Sequence, residues 1–139
     1  MNKAIKIMLL LSAFALTACT QSMEDMLVGR WRLERVIETV YLTPGDHTTV
    51  DTLPGYDSQT LEFMADATCI RTDRGDTTFY QWALSDGKTL ALWHNEWAED
   101  YYVERLDDSR LVLDDNYSHR DTVTGIVADY TYSFEYKKM

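Results

Sequence analysis

The sequence predicts an all-β fold, an antiparallel up-and-down meander of about eight strands closing into a barrel, with an N-terminal signal-peptide helix ahead of it. Three observations carry this. Short runs of alternating apolar and polar residues follow one another between turn residues, with no long helical periodicity among them. No connection is long enough to carry a crossover helix, which argues against a parallel sheet. The last run sets Ala128, Tyr130, Tyr132, Phe134 and Tyr136 on one face against Asp129, Thr131, Ser133 and Glu135 on the other. Alternation establishes the meander. Closure is inferred from the need to remove exposed edges, with an open sheet or flattened sandwich as the alternative.

The chain begins with an address. Lys3 and Lys6 precede residues 7–16, IMLLLSAFAL, in which only Ser12 is polar. That run is too short to span a ~30 Å hydrocarbon layer as a helix, and it suits a signal-peptide core. It ends in Leu16-Thr17-Ala18-Cys19, which resembles the lipobox of bacterial lipoproteins. The resemblance implies cleavage before Cys19, lipidation of its thiol and acylation of its new amine; two or more chains anchor stably. An ordinary secretory peptide or an uncut anchor is the alternative. Thr20 rather than Asp follows the Cys, so the resemblance implies outer-membrane delivery, on the periplasmic or surface face. Glu24-Asp25 loosely resembles an acidic surface-export signal. The expected organisation is a signal peptide at 1–18, a lipidated Cys and tether at 19–25, and the barrel at 26–139.

Charge is read on the mature chain. The whole sequence of 139 residues carries −10; removing residues 1–18 removes Lys3 and Lys6 and no acid, leaving −12 over 121 residues. Such acidity argues against nucleic acid, which needs clustered Lys and Arg. Cys69 is then the one thiol besides Cys19, and it reads as a small buried hydrophobe.

A helical turn over Met26, Leu27 and Val28 stops at Gly29. The first strand covers residues 31–42, and the adjacent Val36 and Ile37 predict a bulge near Arg35. Residues 43–58 hold both prolines, each followed by Gly, and read as a long loop with a short strand at 48–52. Residues 60–63 and 68–71 form a hairpin about residues 64–67. A strand at 77–84 turns at Asp86-Gly87, a type I′ signal, into 89–93. Residues 94–100 read as a polar connection into a strand at 101–106. Asp107-Asp108-Ser109 then turns the chain into 111–113, and residues 114–121 read as a polar loop.

Several of these segments resemble small bacterial lipocalin-like lipoproteins. Gly29-Arg30-Trp31 is similar to their opening Gly-x-Trp element. Leu61-Glu62-Phe63 with Asp66-Ala67-Thr68 resembles their strand-turn-strand. Tyr80-Gln81-Trp82 with Asp86-Gly87-Lys88, and Tyr102-Val103 with Leu111-Val112-Leu113, resemble the hairpins that follow. The likeness covers residues 26–136 and implies a barrel closed at one end by Trp31, with loop 43–58 at the open mouth. Ala67 stands where those proteins have Gly, which predicts a different turn geometry there. Lys137 and Lys138 are terminal, so no counterpart is expected to the basic residue that packs over the Trp in larger lipocalins.

No catalytic pattern is present, so the chain is expected not to be an enzyme, and no cofactor is implied. His47, His94 and His119 fall in expected loops without ligand spacing, so no metal site is expected. The aromatic residues are the richer signal. Tyr80, Trp82, Trp93, Trp97 and Tyr132 either fill the core or line a pocket for a small apolar or amphipathic ligand. Trp97, in a polar segment, is the one expected to be exposed. The expected function is binding of such a ligand or a cell-envelope component by a membrane-anchored barrel. The alternative is an acidic module that captures a basic protein through loops 43–58 and 114–121, such as a lysozyme-type enzyme.

Overall fold

Ser22 caps a single helical turn, α1 (Met23–Leu27), its hydroxyl accepting from the Asp25 amide at 3.2 Å. Glu24 and Asp25 lie at the favourable N-terminal end of that turn. The protein is described by a computed structural model, which covers residues 21–51 and 58–139. The expected signal peptide, Cys19 and part of the expected loop at 43–58 lie outside the described residues.

Nine strands follow among the described residues: β1 (Gly29–Thr43), β2 (His47–Asp51), β3 (Thr60–Phe63), β4 (Thr68–Asp73), β5 (Asp76–Ser85), β6 (Thr89–His94), β7 (Trp97–Leu106), β8 (Arg110–Arg120) and β9 (Val127–Lys138). All pairings are antiparallel, and β9 returns to β1, so eight strands close a ring. The extra strand, β2, pairs with the far half of β1, whose near half pairs with β3. The register shift between Leu33 and Arg35 resets the β1 alternation, so Trp31, Leu33 and Val36 are all buried. Asp86 and Gly87 both have positive φ, 53° and 65°, as a type I′ turn requires.

Two expected loops are strands. Residues 94–100 contain only a two-residue turn, with His94 opposite Trp97, and β7 starts at Trp97. Polarity hid this strand because its inward residue Glu99 is itself charged. Residues 114–120 continue β8, so the contact loop expected there is a strand paired to β9. His47, His94 and His119 accordingly stand on strands rather than in loops.

The end of the barrel next to α1 is packed solid. Trp31, Leu61, Phe63, Leu90, Leu92, Leu111 and Leu113 are essentially inaccessible there. The Trp31 indole N–H donates to the Leu27 carbonyl at 2.8 Å, tying α1 across the end. Lys138 corrects the expectation about the basic residue. Trp31 pairs with Lys138 in register, and the ammonium lies 5.1 Å from the Trp31 ring centre. It also donates to the carbonyls of Met26 and Val28 at 3.2 and 3.1 Å. A terminal position in the sequence is central here because β9 runs to the chain end beside β1. Ala67 corrects the other expectation. Its φ of 70° keeps the left-handed geometry that Gly would adopt, held by Asp66 accepting from the Thr68 amide at 3.1 Å.

Candidate functional site

At the opposite end the ring parts. β7 and β8 pair only from Tyr102–Asp114 to Leu106–Leu111. Above that, residues 97–101 pair with β6 and residues 115–120 with β9. The gap between them opens a cavity of about 500 Å³, with Gln59, Arg71, Glu99, Tyr101, Asp115 and Phe134 among its lining residues. This volume suits a small molecule.

Alternation places the key side chains. Arg71 lies two residues from buried Cys69 on β4, and therefore on the inner face. Glu99 shares the inner face of β7 with Tyr101 and buried Val103. The two meet as a bidentate pair, Nη1 to Oε1 at 3.1 Å and Nη2 to Oε2 at 2.7 Å. Nη1 also donates to the Tyr80 hydroxyl at 3.0 Å, and Nη2 to the Tyr101 hydroxyl at 3.4 Å. Tyr101 in turn donates to Glu99 at 2.7 Å. The Arg71 guanidinium lies 4.9 Å from the Tyr80 ring centre. Its Nε is buried with no partner. Beneath them Tyr136 donates to the buried Gln59 side chain.

These contacts fix the charges. Burial works against the Arg71 charge, but Glu99 outweighs it and holds the guanidinium firmly protonated. Burial likewise opposes ionised Glu99, yet the bonds from Arg71 and Tyr101 hold its carboxyl below the usual range. Burial and Glu99 together raise the Tyr101 hydroxyl, which stays neutral. Asp115 differs: burial first, then the nearby Glu99 charge, raises its carboxyl against a smaller lowering by the Asn116 backbone. Under the floor, burial pushes the Cys69 thiol up to about 12, which keeps it protonated and unreactive.

The five expected ligand-binding aromatics are divided among several places. Tyr80 accepts from Arg71 behind the cavity lining and itself lines a separate depression together with Trp93. Tyr132 sits on the inner face of β9, in register between Glu38 and Asp115. Trp82 belongs to the closed end, its N–H donating to the Met64 carbonyl at 3.1 Å and its ring edge-on to Phe63. Trp93 lies on the outer face, beside Phe79 in a separate shallow depression. Trp97 is 72% exposed at the rim. Gly29 and Trp31 are at the closed end. Arg71 and Gln59 carry no signal by residue type, and Glu99-Asp100 and Asp114-Asp115 read in sequence as acids at turn and rim positions rather than as a site. The available signal was phase, since Arg71 and Glu99 alternate in step with buried neighbours.

No protein-family model matches the sequence, and no curated protein matches it. Among solved structures, the chain is similar to the crystal structure of a lipocalin-like protein from Bacteroides uniformis, at 17% identity and a TM-score of 0.46. The match covers 82% of this chain and 99% of that one. The barrel reading stands on the strand pairing itself.

Proposed function

We propose that the protein is a membrane-anchored lipocalin-like lipoprotein that holds a small amphipathic ligand in the open end of its barrel. The carrying observation is the 500 Å³ cavity, which combines a polar floor of Arg71, Glu99 and Gln59 with the Phe134 wall. A floor of fixed hydrogen-bonding groups orients a polar head, and an aromatic wall shelters an apolar body. Binding is by burial, without covalent chemistry. The Cys19 lipid would hold the barrel at the outer membrane, on the strength of its lipobox resemblance.

Native mass spectrometry of the gently purified protein tests the binding, together with titration by the uncharged fluorophore N-phenyl-1-naphthylamine. A retained small molecule, or saturable one-to-one fluorescence enhancement, is expected. Neither being seen would reject the reading. The anchor is tested separately by radiolabelled palmitate, whose incorporation Cys19→Ala should abolish.

A further inference from the structure

We propose that the head group taken in this cavity is a cation, and that the ligand is an amphipathic organic amine. Its ammonium would lie near Asp115 and Glu99, with its apolar body against Phe134 and Tyr132. The inference rests on the binding reading above and adds the chemistry of the head.

The first reason is that Arg71 is already engaged. Its two terminal nitrogens donate to Tyr80, to both oxygens of Glu99 and to Tyr101. Those four N–H groups are the fork with which an arginine grips a carboxylate or phosphate. Its remaining donor, Nε, is buried. An anionic ligand would have to displace Glu99 from a bidentate pair, and would meet Asp100 and Asp115 on arrival.

The second reason is the balance of charge. Glu99 cancels Arg71, and the lining still holds Asp100 and Asp115. Burial and the Glu99 charge both work against the ionised form of Asp115, which lies beside Glu99 in the lining. An ammonium placed between these carboxylates favours their charged forms, whereas an anion there adds to the repulsion.

The third reason is aromatic. Phe134 packs edge-on to Tyr101 at 6.1 Å, and Tyr132 stands directly across from Asp115 in register. Above them Tyr117 and Tyr130 lie 5.8 Å apart. Aromatic faces beside carboxylates favour ammonium groups over carboxylates or alcohols of the same shape.

Three probes of the same carbon skeleton separate the possibilities: 3-phenylpropan-1-amine, 3-phenylpropan-1-ol and 3-phenylpropanoate. Each is titrated calorimetrically at pH 7.5 into the mature lipid-anchored protein in zwitterionic nanodiscs, with empty nanodiscs as blank. The amine should bind about tenfold tighter than the alcohol, and the carboxylate weakest. Asp115→Asn should bring the amine to within about threefold of the alcohol. Asp115 is exposed, so this variant should fold, and an unchanged near-ultraviolet spectrum checks that it does. A carboxylate that binds as well as the amine, or an amine no better than the alcohol, overturns the inference and leaves the binding reading standing. Failure of all three overturns the inference, and reaches the binding reading only if N-phenyl-1-naphthylamine also fails.

Discussion

At the Trp31 end the strands fill the barrel with Leu61, Phe63, Leu90, Leu92, Leu111 and Leu113; at the other end the same sheet presents Gln59, Arg71, Glu99 and Asp115. The closed end has every strand of the ring paired to its neighbours. The open end has lost the β7–β8 pairing and has a cavity in its place. The difference teaches how one meander divides its work. Apolar burial at one end supplies the stability that lets the other carry partly buried charge.

The largest test strikes the closed end. Trp31→Ala removes an inaccessible indole, its bond to Leu27 and the seat of Lys138. The expected loss is about 4 kcal/mol, read from the urea midpoint at constant slope. A loss under about 1 kcal/mol would show that this end does not anchor the fold.

The next strikes the open end. Glu99→Gln keeps the shape but takes the counter-charge from Arg71, whose side chain is 17% exposed against 34% for Glu99. Solvent reaches the pair, so the expected loss is about 2 kcal/mol at pH 7, less than for a fully buried pair. The pH dependence has a definite sign. The folded carboxyl is held below its unfolded value of about 4.3, so its contribution is present above that pH. It is lost as pH falls through the lower folded value. The gap between wild type and variant should therefore narrow in acid, and a gap that stays constant to pH 2 would refute the assignment.

A smaller effect returns to the closed end. Ala67 holds φ at 70°, where its Cβ is crowded. Ala67→Gly relieves that strain while adding freedom to the unfolded chain, for a net gain of about 0.5 kcal/mol. A loss of stability would mean that the turn is not left-handed.

The two ends were also unequally legible in the sequence. Gly29, Trp31 and the Asp86-Gly87 turn announced themselves, because apolar alternation and turn chemistry are local signals. The Lys138 cap did not, since it depends on β9 meeting β1 across the ring. The floor was harder still. Arg71 and Glu99 are 28 residues apart and become partners only when β4 and β7 face one another across the interior. Residues 94–100 and 115–120 looked like loops because strands that border a wet cavity carry polar residues on both faces. The polarity that concealed those strands also marks the site.

Asp115 provides the finest distinction between the ends. Its carboxyl is raised by burial and by Glu99, so its folded value exceeds its unfolded one. For such an acid the penalty is absent at low pH and grows as pH rises through the unfolded and then the folded value. Asp115→Asn removes it and should raise stability by a few tenths of a kcal/mol at pH 7, with no gain at pH 3. The same substitution should weaken the amine probe. The two outcomes together would assign Asp115 to binding rather than to the fold. If the variant proves less stable at pH 7, Asp115 belongs to the fold rather than to the site, and the division between the two ends lies further up β8.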